Sequence, residues 1–177
     1  MSPNELGLTV GLVGLVSFAA LLDLKTRRIP NWLVLAGLAV ALLLRGMLGM
    51  DALMTGFIGA GIGLGVGYTL FALGVLGGGD GKLLMAVGAC FGGPGPIVGA
   101  LLAIALAGGV LGLLWAARSG VLLPILLNTG QTMKYLLTFG RAGSLRTMDS
   151  PGTLSVPYGV AIAAGSLIWW FWGVPVL

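Results

Sequence analysis

Residues 52–82 read ALMTGFIGAGIGLGVGYTLFALGVLGGGDGK, an unbroken apolar run over residues 52–76 that is followed by glycines, an aspartate and a lysine. A run of this length is sufficient to cross a bilayer as an α-helix, which needs about 20 residues. The first charged residue after it is Asp80, at the boundary of the hydrocarbon, where an acid is costly without a partner or a function. The stretch therefore predicts a membrane helix that leads directly into a candidate functional site.

The composition of the whole chain indicates a polytopic helical membrane protein. Only 14 of its 177 residues are charged, it has no histidine, and apolar residues make up 58%. The apolar runs are continuous and do not alternate with polar residues, which favours spanning helices over a spanning barrel. We therefore expect an all-α transmembrane bundle that forms a single membrane-embedded domain over residues 1–177.

Six membrane spans are predicted from the apolar runs. They cover about residues 6–22, 32–49, 52–76, 82–95, 96–117 and 154–174. The fourth is short, which is tolerable if it packs inside the bundle and its ends need not reach the lipid headgroups. We interpret residues 121–139 as an amphipathic segment at the cytoplasmic interface, within a basic loop over residues 118–152. If this segment instead enters the membrane and spans it, the sixth span inverts.

The basic residues orient this layout. With six spans, eight of the nine lysines and arginines fall on one side and only Arg45 falls on the other. Basic loops stay in the cytoplasm, so both termini are predicted to lie outside. Asp23, Asp80 and Asp149 are then cytoplasmic, whereas Asp51 is on the opposite side. Topology thus accounts for the net charge of +4 without a nucleic-acid partner.

The 33 glycines of the chain lie largely inside apolar runs, where small residues let helices approach closely. Gly59, Gly63 and Gly67 are spaced by four, and Gly61 and Gly65 form a second row of the same spacing. We predict that both rows belong to a helix-packing face. A dinucleotide-binding fingerprint is excluded because no strand precedes them.

The metal-binding and redox classes have little support in the sequence. Cys90 is the single cysteine and there is no histidine. One cysteine allows neither a disulfide within the chain nor a cysteine-rich zinc site. We therefore expect no metal and no cofactor.

Asp23 and Asp80 each admit a structural interpretation as well as a functional one. Asp80 could be the N-cap of the following helix, and Asp23 could pair with Lys25 or Arg27 beside the membrane. The layout, however, places both carboxyl groups at the same membrane edge. Two carboxyl groups that share one proton are the working parts of an aspartic protease. Because such a pair titrates as a unit, the sequence leaves the acid and the base unassigned.

Two sequence motifs around these acids are similar to those of a known family. Gly77, Gly79 and Asp80, followed by Lys82, resemble the GxGD motif of the intramembrane aspartyl proteases. Lys82 has a functional and a structural interpretation. It could lower the pKa of Asp80 or hold the substrate near the membrane, or it could be only a charge that sets the topology.

The second motif begins at Asp23 and continues to Pro30 and Asn31 in the sequence RIPN. It resembles the first catalytic motif of the prepilin peptidases, and residues 156–161, VPYGVA, are similar to a further segment of that family. The resemblance extends over nearly the whole chain. It is strongest to the short branch of the family that serves Flp-type (Tad) pili.

The resemblance implies an aspartic endopeptidase of the bacterial inner membrane, with Asp23 and Asp80 as catalytic residues and with Gly77, Gly79, Lys82, Pro30 and Asn31 in the active-site loops. Its substrate would be a type IV prepilin, which carries a short basic leader and an apolar helix and is cleaved between them at the cytoplasmic face. Its surroundings would be the lipid bilayer and the pilus assembly machinery. Larger members carry an insert with paired cysteines and also methylate the new terminus. That insert is absent here, so we do not expect methyltransferase activity.

Two other functions are compatible with acids at a membrane edge. A small transporter or channel subunit could use Asp23 and Asp80 as proton or cation sites. A non-catalytic pilus assembly factor could share the family's sequence without its activity. Against the transporter, both acids are predicted at one edge of the membrane and not at its midplane.

Overall fold

The structure, a computed structural model, describes residues 3–119 and 157–173. These residues form six α-helices and no strand, as predicted for an all-α protein. The helices are α1 Pro3–Thr26, α2 Asn31–Leu48, α3 Met50–Ala72, α4 Gly78–Phe91, α5 Pro94–Arg118 and α6 Tyr158–Trp172. The predicted interfacial segment 121–139, most of the loop 118–152 and Asp149 lie outside the described residues.

Four helices have the length and apolar composition needed to cross a membrane. They are Glu5–Thr26 within α1, Asn31–Leu48, Met50–Ala72 and Pro94–Arg118. Helices α4 and α6 are shorter, with 14 and 15 residues. The protein is thus a multi-pass helical membrane protein, and its number of spans and the side of its termini stay predictions.

Helix α3 ends earlier than the apolar run that predicted it. The run continues to Leu76, but the helix ends at Ala72. Gly74 has a φ of 68°, a conformation that glycine adopts readily. The Gly74 and Val75 N–H groups donate to the carbonyl oxygens of Phe71 and Leu70, both at 2.9 Å. This is the Schellman arrangement that ends many helices, and apolar residues alone do not reveal where it occurs.

The short helix α4 lies at the centre of the bundle. It contacts each of the other five helices, most extensively α3 and then α2. Nine of its 14 residues are buried, from Gly81 to Phe91. Packing inside the bundle, the condition under which so short a segment is tolerable as a span, is therefore met.

Close approach of α3 to α4 depends on one row of glycines. A Cβ atom added to Gly59, Gly63 or Gly67 would overlap the backbone carbonyl of Gly88, Leu84 or Gly81, respectively. The packing role predicted for this row is confirmed.

The prediction for the second glycine row is wrong. Gly61 and Gly65 are exposed, and a Cβ atom at either position would meet nothing within 4 Å among the described residues. A displacement of two residues corresponds to about 200° around a helix, so the two rows face opposite sides of α3.

Arg45 caps the far end of α4 from inside the bundle. Its side chain is only 3% exposed. Its Nε donates to the Ala89 carbonyl oxygen and one Nη to that of Cys90, both at 2.8 Å. These carbonyl groups belong to the last turn of α4, which has no helical partner for them and carries partial negative charge. The sequence placed Arg45 correctly near the end of the second helix, but it did not indicate this structural role.

The two glycine rows generate a matched stability test. We expect Gly63→Ala to destabilise the protein by about 1–3 kcal/mol, because the new methyl group is forced against the α4 backbone. Gly65→Ala should be neutral or stabilising, since alanine favours the helix by about 1 kcal/mol over glycine. Thermal unfolding of the purified protein in detergent measures both. Equal midpoints for the two variants would contradict the assigned packing face.

Candidate active site

A pocket of about 300 Å³ lies where α1 ends and α4 begins. It contains both aspartates that the sequence singled out. Its lining residues are Asp23, Arg27, Arg28, Ile29, Gly77, Gly78, Gly79 and Asp80. The fold therefore brings together, in one small cavity, two aspartates that are more than 50 residues apart in the sequence.

Asp23 stands in the last turns of α1 and is 6% exposed. Its Oδ2 accepts a hydrogen bond of 2.8 Å from the Gly159 N–H. Gly159 is the second residue of α6, so this acid is held by the N-terminus of the last helix. A buried carboxylate needs such a donor because burial removes the water that would otherwise solvate it. The structure thus gives Asp23 a distant backbone partner that the sequence did not predict.

The loop between α1 and α2 reverses the chain beside Asp23. Arg27 adopts a left-handed conformation, with a φ of 53°, and its guanidinium lies over the Trp115 ring at 5.9 Å. The Thr26 hydroxyl donates to the Leu22 carbonyl oxygen at 2.9 Å. Pro30 then precedes the first residue of α2 in an extended conformation.

Asn31 and Lys82 connect this loop to α4. The Lys82 ammonium donates to the Asn31 side-chain oxygen at 3.0 Å. Lys82 is exposed, and neither it nor Asn31 or Pro30 is among the residues that line the pocket. These three predicted site residues therefore lie outside the pocket lining, and the Lys82–Asn31 hydrogen bond joins the start of α4 to the start of α2.

Glycines shape the other wall of the pocket. A Cβ atom at Gly79 would lie 3.2 Å from the Ile29 Cβ, and one at Gly77 would lie 3.0 Å from the Asp80 Oδ2. Larger side chains at these positions would push the loop or the acid aside. Because Gly77 has no side chain, the Asp80 carboxyl group can lie against it. Because Gly79 has none, the start of α4 can pack against Ile29 in the α1–α2 loop.

The alternative interpretation, in which Asp80 is the N-cap of α4, is wrong. The N-cap of α4 is Gly77, and Asp80 is the third residue of the helix. From there its carboxylate reaches back to a backbone hydrogen bond at Gly77, which resembles one half of a capping box. Asp80 therefore contributes to the helix start and still faces the pocket.

The charge state of Asp80 is unusual. Burial, reinforced by the nearby charge of Asp23, raises the pKa of Asp80 to about 6, although the Gly77 hydrogen bond acts in the opposite direction. The Asp80 Oδ1 is buried and has no hydrogen-bond partner among the described residues. One carboxyl group of the pair can therefore hold a proton near neutral pH while the other is ionised.

Tyr158 is a neighbour of the site that the sequence did not assign. It begins α6, and a Cβ atom at Gly108 of α5 would lie 2.6 Å from its hydroxyl oxygen. The charge of Asp80 is close enough to interact with this hydroxyl. In the sequence, the similarity of residues 156–161 to a family segment pointed to Tyr158 and Gly159, but it did not indicate what either residue does.

The arrangement is suited to general acid–base chemistry. One protonated and one ionised carboxyl group can respectively donate to a carbonyl oxygen and accept a proton from water. Among the described residues no group of three or more His, Cys, Asp or Glu side chains is placed to hold a metal ion.

The coupling of the two acids predicts a change in the Asp80 pKa when Asp23 is neutralised. In Asp23→Asn the pKa of Asp80 should fall below its value of about 6, because the nearby negative charge is removed. It should stay above the ordinary value, since the burial remains. A pH titration of ¹³C-labelled aspartate side chains by NMR measures this shift. Asp51→Asn is the matched control, and a shift of equal size in that variant would contradict the coupling.

Comparison with known proteins identifies the family of the chain. The sequence profile of the type IV leader peptidase family matches residues 10–117, a segment that includes both Asp23 and Asp80. Searches of curated proteins and of solved structures found no match. The matched segment is more than half of the 177 residues, and the protein therefore belongs to the type IV leader peptidase family.

Proposed function

We propose that this leader peptidase is an aspartic endopeptidase that cleaves type IV prepilins of the Flp (Tad) class at the cytoplasmic face of the bacterial inner membrane. Asp23 and Asp80 are its catalytic residues. The observation that carries the proposal is their joint presence in one pocket at the ends of apolar helices, with Asp23 raising the pKa of Asp80.

The two carboxyl groups meet the chemical needs of peptide hydrolysis. A peptide bond is neutral and weakly electrophilic, so its hydrolysis requires both an activated water and a proton donor for the carbonyl oxygen. A pair with one proton supplies both functions at once.

The location of the pocket agrees with the junction that a prepilin presents. Asp23 lies near the end of α1 and Asp80 in the first turn of α4. An apolar substrate helix beside the bundle would therefore place its polar end at the level of the pocket. A basic leader would approach a site that contains two acids, although Arg27 and Arg28 also line the pocket. Prepilin, bilayer and pilus assembly machinery are the partners of this proposal.

Replacement of either acid tests the proposal directly. Asp23→Asn and Asp80→Asn should each abolish leader cleavage, and the double variant should be no worse than either, since the residues act as a unit. Asp→Glu at either site should reduce the rate on the order of a hundredfold, because about 1 Å of misplacement has that effect. The measurement is cleavage of a co-expressed Flp-type prepilin, followed by mass spectrometry at matched expression.

The remaining aspartates are the controls for this experiment. Asp51→Asn and Asp149→Asn should retain cleavage. Asp80→Asn should not lower the thermal midpoint at pH 7, since it removes a buried charge. Substantial cleavage by either Asn variant of the pair would end the aspartic mechanism, and ion flux without cleavage would favour a transporter.

Cleavage at the cytoplasmic face requires the predicted topology, which cysteine labelling can test. In a Cys90→Ser background, a cysteine at Ser144 should be protected from a membrane-impermeant reagent in whole cells. A cysteine at Asp51 should be labelled, because it is predicted on the outer side. External labelling at position 144 would reject the six-span layout and the orientation derived from it.

A further inference from the structure

The polar surroundings of the two carboxyl groups are unequal. The Asp23 Oδ2 accepts the 2.8 Å hydrogen bond from the Gly159 N–H. Asp80 also accepts a backbone hydrogen bond, at Gly77, but its Oδ1 is buried with no hydrogen-bond partner among the described residues. A buried, unpartnered carboxyl oxygen favours the protonated form, whereas an oxygen that accepts an N–H bond favours the ionised one. The inequality therefore separates the roles of the two acids.

The donor to Asp23 belongs to the N-terminus of a helix. Helix α6 has 15 residues, and Gly159 is its second. The first N–H groups of a helix have no partner within it and carry partial positive charge, which stabilises a nearby carboxylate. A Cβ atom at position 159 would lie 2.9 Å from the Asp23 Cβ and 3.0 Å from its Oδ2. Glycine at this position is what lets the acid reach the backbone.

We infer that Gly159 is a positioning residue whose N–H holds Asp23 as a carboxylate, so that Asp23 is the general base and Asp80 the general acid. This inference rests on the proposed function. It adds a third segment to the site, from a helix that lies beyond the residues 10–117 matched by the family profile.

The assignment gives a balanced reaction. Asp23 takes a proton from water while the water oxygen bonds to the carbonyl carbon, and Asp80 gives its proton to the carbonyl oxygen. In the second step Asp23 passes its proton to the amide nitrogen as the C–N bond breaks, and Asp80 recovers a proton from the tetrahedral hydroxyl group. Both carboxyl groups return to their initial states, and no other reactant is needed.

Other charged and titratable groups face the pair from several elements. Arg27 and Arg28 line the pocket from the loop between α1 and α2. Tyr158 faces Asp80 from α6, while Lys82 on α4 is directed to Asn31. The Gly77 hydrogen bond favours ionised Asp80, but burial and the charge of Asp23 outweigh it, since its pKa rises to about 6.

The test is the pH dependence of leader cleavage in Gly159→Ala. In a plot of kcat/KM against pH, the acid limb is the fall in activity at low pH, and it reports protonation of the general base in the free enzyme. We expect that limb to move to higher pH, because the N–H bond to Asp23 is disturbed. The alkaline limb, which reports ionisation of Asp80, should stay in place.

Gly165→Ala is the matched control on the same helix. A Cβ atom there would overlap the backbone of Ile104 in α5, so the variant strains the packing without touching Asp23. It should lower the thermal midpoint and leave both limbs unmoved. An acid limb that does not move in Gly159→Ala, or that moves equally in Gly165→Ala, would overturn the inference.

If Gly159→Ala does not insert into the membrane, a second measurement, made on the wild-type protein, tests the inference. The chain has four aspartates, whose ¹³C carboxyl signals can be assigned with the Asn variants. In the wild-type protein Asp80 should take up a proton at about pH 6, and an Asp80 that stays ionised well below that pH would overturn the inference. An unmoved acid limb, with both Asp→Asn variants inactive, would reject only this assignment. Absence of cleavage by the wild-type protein would reject the proposed function, and the NMR titration would still show whether Asp80 holds a proton.

Discussion

The structure depends on satisfying both ends of α4, a short helix enclosed by five others. In a membrane, a helix end that reaches no headgroup and no water must find polar partners within the protein. Arg45 provides them at the C-terminus through the Ala89 and Cys90 carbonyl groups. At the N-terminus Asp80 reaches back to Gly77. The same short helix can therefore lie deep in the bundle and still begin at a polar pocket.

The glycines of α3 make this placement possible. Direct contact of the α3 and α4 backbones at Gly59, Gly63 and Gly67 leaves no room for side chains between them. Since lipid is as apolar as the helix surfaces, such close packing supplies much of the attraction between membrane helices. It also limits how far α4 can slide, and this limit determines where Asp80 stands relative to Asp23.

The site combines features that oppose stability with features that support function. Burial of Asp80 beside a second acid is unfavourable when both are ionised. The Gly159 N–H donates to Asp23, and the Lys82–Asn31 hydrogen bond joins α4 to α2 beside the pocket. Strained or costly groups of this kind concentrate at functional sites, where the surrounding structure holds them.

The sequence by itself determined the membrane class, the approximate helices and the two candidate acids, because these follow from local composition, run length and charge placed beside apolar runs. It could not distinguish the packed glycine row from Gly61 and Gly65, since that depends on which side of α3 meets α4. Only the tertiary structure showed that Arg45 caps α4 and that Gly159 reaches Asp23 across 136 positions of sequence. Contacts between distant segments arise when the helices pack, and no local pattern in the sequence encodes them.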